Sequence, residues 1–166
     1  VCLPGTHAKW ARLSRGHLAG FRTMMTGEMF ALLGEVSILR HTVGISDWSD
    51  DDFAAAVAEA HAAPADCLGR LFGLRAGPLL FGDAAPSGSA RLSGLLIGAE
   101  IATGITAGDE PICLVATGGM AERYAAALTA LGIDFNRADA EDAVRNGLFA
   151  MAARIWPERE LLETDA

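Results

Sequence analysis

No apolar run in this 166-residue chain is long enough to cross a membrane. The first residues also lack the charged-then-apolar order of a secretory leader. A cytoplasmic protein with no membrane partner is therefore expected. Basic side chains are scarce: 13 Lys and Arg stand against 21 Asp and Glu, a formal net charge of -8. No basic stripe forms, which argues against a nucleic-acid partner. A small anion is still allowed, because backbone N–H groups and helix N-termini hold phosphate without net positive charge. Cysteine occurs only at Cys2, Cys67 and Cys113, far apart and with no C-x-x-C pair. Free thiols in a reducing compartment fit that pattern. No metal-ligand cluster is visible, and no Ser/His/Asp arrangement. His17, His41 and His61 are scattered and read as surface residues. There is no internal repeat and no low-complexity tract.

What remains is ordinary globular composition, half apolar and one fifth charged, of a size to bury one substantial core. Val1 is not an initiator methionine, and Val1-Cys2-Leu3 reads as the end of a strand. The expectation is a fragment of a longer chain. Pro4-Gly5-Thr6-His7 punctuates a turn. Strands follow over residues 9–13 and 17–23, joined by the turn Ser14-Arg15-Gly16 as a hairpin. A helix is expected over 26–33, with a shorter one over 36–40 and a loop over 42–48. Ser49 is a good N-cap, and Asp50, Asp51 and Asp52 favour the helix dipole. That helix should run to about Ala62 with Phe53, Val57 and Ala60 on one side, and another should lie over 66–74. Residues 77–89, rich in Gly, Pro and Ser, read as a mobile loop.

Leu92, Leu95, Leu96, Ala99 and Thr103 then repeat at helical spacing, with Ile97 and Ile101 as a second apolar stripe, so this helix should be buried on most sides. Residues 106–110 read as a turn. The unbroken run Ile112-Cys113-Leu114-Val115-Ala116 suits a central parallel strand. A helix with Ala121, Tyr124, Ala125, Leu128 and Leu131 on one face should end at Gly132. A short strand over 133–137 precedes a helix capped by Asp139, carrying Val144, Leu148, Met151, Ala152 and Ile155. The tail over 157–166 is charged and expected to fray. The order predicts an α/β fold: a mixed five-stranded sheet with helices on both faces and a helical insertion, in the ribonuclease-H-like manner.

Four segments carry candidate chemistry. Gly5, Thr6 and His7, with Lys9, could cradle a phosphate oxygen through turn N–H groups, a hydroxyl and a charge; the plain alternative is a hairpin turn with Lys9 in solvent. Thr117, Gly118, Gly119 and Met120 follow a buried strand and open a helix, where ligands of such sheets sit. The alternative is a turn without a ligand. Thr26, Gly27 and Glu28 could face a cleft and bind a polyol, or simply begin a helix. Ser93, Gly94 and Gly98 are small residues inside a helix, suited to close packing against another backbone or a nucleotide; packing is preferred for Gly94. Glu100, in so apolar a helix, needs a partner if buried.

Together these segments resemble the 2-dehydro-3-deoxygalactonokinase family, within the actin-like sugar kinases. The resemblance rests on Leu3-Pro4-Gly5-Thr6-His7-Ala8-Lys9-Trp10, on Phe21-Arg22-Thr23-Met24-Met25-Thr26-Gly27-Glu28-Met29-Phe30-Ala31-Leu32-Leu33, and on Ser37-Ile38-Leu39. Residues 93–102 and Arg123-Tyr124 with Ala127-Leu128 and Leu131-Gly132 complete it. It implies the carboxy-terminal lobe, residues 1–156, of a two-lobed enzyme that closes on ATP and Mg2+. The implied activity is transfer of the ATP γ-phosphate to the 6-hydroxyl of 2-dehydro-3-deoxy-D-galactonate. Gly5, Thr6 and His7 would form its second phosphate loop, Thr117, Gly118 and Gly119 the adenosine-side turn, and the final helix an inter-lobe connector. Thr26, Gly27 and Glu28 are inferred to meet the sugar acid, from their place after the third strand. Ala8 departs from the family's usual Ser. The first phosphate loop, its metal-binding Asp and the general base belong to the missing amino-terminal lobe, so this chain alone should be inactive. Two other readings stay open: a non-catalytic nucleotide-binding or assembly module, which could form a homodimer, and a lobe of another actin-like sugar kinase.

Overall fold

The computed structural model describes residues 1–43, 48–82, 86–105 and 111–156. Strands β1 (Cys2–Leu3), β2 (Ala8–Ser14) and β3 (His17–Met24) form the expected meander. The β2–β3 turn places Arg15 at φ 50° and Gly16 at φ 77°. Two consecutive left-handed residues make the tight hairpin turn whose twist matches the strands. Strands β4 (Ile112–Val115) and β5 (Phe135–Ala138) complete one sheet of order β3-β2-β1-β4-β5. β2 runs antiparallel to both neighbours, whereas β1, β4 and β5 are mutually parallel, with Cys2 opposite Trp10 on one side and Leu114 on the other. This is the mixed ribonuclease-H-like sheet expected from the element order.

Six α-helices accompany it among the described residues: α1 (Thr26–Glu35), α2 (Asp50–Ala62), α3 (Cys67–Phe81), α4 (Gly88–Gly104), α5 (Gly118–Ala130) and α6 (Ala140–Ile155). The caps follow local chemistry. Ser49 accepts from the Asp52 N–H at 3.1 Å, and Asp139 Oδ1 accepts from the N–H groups of Glu141 and Asp142. Gly132, at φ 66°, closes α5. The short helix expected over 36–40 is a 3-10 turn at Ile38–His41.

One expectation fails. Part of the loop read over 77–89 is helical. α3 runs through Gly77 and Pro78 to Phe81, and Gly88 and Ser89 already belong to α4. Pro78 sits in the last turn of α3, where its carbonyl still accepts from the Gly82 N–H. Ser87 is a cap rather than a loop residue: its hydroxyl accepts from the Ala90 N–H, and its own N–H donates to Asp52 Oδ2 at 2.7 Å. The turn read over 106–110, most of the loop over 42–48 and the tail over 157–166 lie outside the described residues.

The core sits on one face of the sheet. Cys2, Trp10, Ile112 and Leu114 point at Ile97 and Ile101 of α4, Tyr124 and Leu128 of α5, and Phe53 and Val57 of α2. A second cluster joins Ala56, Ala60, Leu71, Leu74, Leu92 and Leu95. α4 feeds both clusters, which is why it is buried nearly all round. The opposite sheet face, with Leu3, Lys9, Cys113 and Val115, is only partly covered, and α6 buries none of its residues. Its apolar stripe of Val144, Leu148, Met151 and Ile155 is more than half exposed.

Candidate functional site

The turn after β1 and the start of α1 are a single unit. The Glu28 N–H donates to Thr6 O at 3.0 Å. A Cβ on Gly27 would lie 2.6 Å from Gly5 O and 2.8 Å from Thr6 Cα, so only glycine allows this approach. The His7 imidazole pairs with the Glu28 carboxylate, and Lys9 Nζ donates to His7 O at 2.8 Å. The sequence offered residues 5–9 and 26–28 as two sites, and the fold brings them into one.

Beside this unit lies a pocket of about 100 Å³. Gly5 and the α1 residues Thr26, Gly27 and Phe30 form one wall. Ser93, Leu96 and Ile97 of α4 form the second, and Met120, Arg123 and Tyr124 of α5 the third. Arg123 is steadied by the Trp48 ring, 4.5 Å below its guanidinium, and Trp48 in turn packs on Phe53.

Under the pocket sits Glu100, 3% exposed. Trp10 Nε1 donates to Oε1 and Tyr124 Oη donates to Oε2, each at 2.8 Å. Burial pushes the Glu100 carboxyl above its ordinary range, while the neighbouring Thr26 hydroxyl and the hydrogen bonds from Trp10 and Tyr124 pull it back. The Tyr124 phenol is driven far up, first by burial and then by the Glu100 charge. Glu100 thus has the partners its burial demands.

The strand-to-helix turn is open. Gly118 adopts φ 59°, a Cβ on Gly118 or Gly119 would meet nothing within 4 Å, and Thr117 makes no side-chain cap bond. The N-terminal N–H groups of α5 are therefore available to an anion. Met120 of this turn reaches the pocket. Gly98 does not: its Cβ position lies 2.3 Å from Val57 O of α2, so helix packing occupies the place offered to a nucleotide. Gly94 packs likewise against Phe53 O, as preferred. Among the described residues no three His, Cys, Asp or Glu side chains converge as a metal site. They therefore offer no cage of their own for Mg2+.

Sequence reasoning missed Phe30, Leu96, Ile97 and Trp10 as site residues. Nothing in their local pattern sets them apart from core residues. Arg123 and Tyr124 were not offered as site residues either, although all six lie in segments that carry the family resemblance.

The model of one family, 2-keto-3-deoxy-galactonokinase, matches residues 1–151. The chain belongs to that family. It is 44% identical over 163 residues to a probable 2-dehydro-3-deoxygalactonokinase of Rhizobium meliloti strain 1021, covering 95% of this chain and 53% of that protein. It is 35% identical over 155 residues to the 2-dehydro-3-deoxygalactonokinase of Escherichia coli K12, covering 92% and 53%. A crystal structure from Sinorhizobium meliloti, also named for this kinase, superposes with a TM-score of 0.87 at 42% identity, covering 99% of this chain and 55% of that one. The chain thus spans about half the length of the family relatives it matches. Among the described residues no helix is long and apolar enough to cross a membrane.

Proposed function

We propose that this chain is the carboxy-terminal half of an ATP-dependent kinase that phosphorylates the 6-hydroxyl of 2-dehydro-3-deoxy-D-galactonate. One observation carries the reading: the Gly5 turn, the start of α1 and the start of α5 gather round one pocket in a chain of this family. In the reaction the 6-hydroxyl oxygen bonds to the γ-phosphorus, and the bond from that phosphorus to the bridging oxygen of the departing ADP breaks. The hydroxyl proton passes to a carboxylate supplied by the rest of the enzyme. The turn of Gly5, Thr6 and His7, with Lys9, faces the transferring phosphoryl group. Gly118 and Gly119 let the nucleotide approach the N-terminus of α5. Positioning and charge stabilisation dominate phosphoryl transfer, and they come from both sides of a cleft, so the half-chain alone is inactive. Mg2+ neutralises phosphate charge when bound, with its protein ligands outside the described residues.

The exposed apolar stripe of α6 supports a covering surface in the rest of the enzyme. It also keeps open an assembly module in which two copies pair through that stripe. Sedimentation of this chain separates the two: a concentration-dependent homodimer favours the module. For the kinase, Thr6→Val in the full-length protein should lower kcat/KM about tenfold or more, with an unchanged Tm. Turnover equal to wild type would remove Thr6 from the phosphate site.

A further inference from the structure

Among the described residues that line the pocket, only Arg123 carries a charge. The carboxylates that could neutralise it are committed elsewhere. Glu122, its neighbour in sequence, accepts from Arg137 of β5 at 2.8 and 3.2 Å. Asp50 accepts from Trp48 Nε1 at 2.7 Å. Arg123 forms no ion pair with any described residue. Its guanidinium carbon instead lies over the Trp48 ring, 4.5 Å from the centroid. That ring is itself fixed twice, by its bond to Asp50 and by packing on Phe53 with the centroids 5.4 Å apart. A cation held over a ring by the ring's quadrupole spends no hydrogen-bond donor on it. The planar N–H fork of Arg123 therefore stays unspent. Trp48 is not among the residues lining the pocket, so the shelf supports Arg123 without filling the space beside it.

We infer that Arg123 is the anion-recognising residue of this pocket, its fork pairing with two oxygens of a ligand carboxylate or phosphate, and that Trp48 is the positioning residue that holds it there. The inference rests on the kinase reading above and adds a contact that reading does not assign. A guanidinium matches either anion with two parallel hydrogen bonds. The walls around it, Phe30, Leu96, Ile97 and Met120, are apolar, and such surroundings screen a charge pair less than water does. Two ligands share the chemistry: the sugar acid, through its carboxylate, and the nucleotide, through a phosphate.

The test uses the full-length protein and titration calorimetry with two anions and a neutral counterpart of each: ATP with adenosine, and 2-dehydro-3-deoxy-D-galactonate with its methyl ester. Arg123→Gln should weaken one anion about tenfold or more and leave the other within about twofold. The neutral counterpart of the weakened anion should keep its wild-type affinity. A loss confined to ATP places a phosphate on the fork, and a loss confined to the sugar acid places the carboxylate there. Arg123→Lys keeps the charge without the fork and should recover only part of the loss. Trp48→Ala should weaken the same anion about threefold, and Trp48→Phe should restore it. Losses shared equally by an anion and its neutral counterpart would mean a packing role and overturn the inference. Wild-type affinity for both anions in an Arg123→Gln protein that is folded by circular dichroism would overturn it as well. Full affinity in Trp48→Ala would remove Trp48 from the positioning role. A wild type that binds neither ATP nor the sugar acid overturns the kinase reading and this inference with it.

Discussion

Helices α3 and α4 carry the same device in opposite surroundings. α4 has Gly94 and Gly98 one turn apart, and α3 has Gly69, Gly73 and Gly77 at the same spacing. On α4 the backbone of α2 fills the groove, leaving no room for a Cβ at either glycine. On α3 nothing lies within 4 Å of any of the three, and Leu68, Phe72 and Leu79 beside them are about two-thirds exposed or more. Small residues at helical spacing thus permit close approach without dictating it. What decides is whether the flanking residues put a second helix there. α4 and α2 each contribute to both core clusters, and α4 also forms one wall of the pocket.

Substitutions can break the contrast from the α4 side first. Gly98→Ala drives a Cβ to 2.3 Å from the Val57 carbonyl oxygen. Backbone cannot yield as a side-chain tip can, so a loss of about 3 kcal/mol is expected in urea denaturation. A loss below about 0.5 kcal/mol would mean that α2 and α4 are not in this contact.

Glu100→Ala comes next, since it strands the Trp10 N–H and the Tyr124 hydroxyl in the core. A cost of about 2–3 kcal/mol follows, and Glu100→Gln should cost less. The pH dependence has a defined sign. The folded-state carboxyl titrates above its ordinary 4.5, chiefly through burial. Between those two values the folded state binds more protons than the unfolded state, so this group's contribution to stability falls as pH rises through the window. Glu100→Gln lacks this titration, so the wild-type advantage over it should be largest at the acid end of that window and shrink as pH rises through it, once the shared pH dependence is subtracted. A difference that does not vary with pH would contradict the burial of this charge.

The smallest effect lies on α3. Gly73→Ala relieves the cost of an exposed helical glycine and should stabilise by about 0.5–1 kcal/mol. Destabilisation instead would show that α3 is packed against something in solution.

Much of this was legible in the chain itself. The hairpin and the central parallel strand followed from the turn at Ser14-Arg15-Gly16 and the apolar run at Ile112, and three helix boundaries from Ser49, Asp139 and Gly132. The doubly apolar pattern of Leu92, Leu95, Ile97 and Ile101 announced a buried helix. The C-terminal turns of α3 were hidden because Gly77 and Pro78 are loop-formers by propensity, whereas the helix there reaches Phe81 regardless. The site was legible as separate pieces only. Gly5 and Gly27 signal flexible backbone in isolation, and their mutual contact is tertiary. Trp10 meets Glu100 across 90 residues of sequence, and no local pattern encodes that pairing. Glu100 announced a need for partners without naming them.

The most direct test of the account is phosphoryl transfer by the full-length gene product, supplied with ATP, Mg2+ and 2-dehydro-3-deoxy-D-galactonate, with the product followed by phosphorus and carbon NMR. The account predicts a phosphate ester on the 6-carbon formed in step with ADP, and none from the half-chain alone. A phosphate ester on another position, or ATP turnover without any ester, would contradict it.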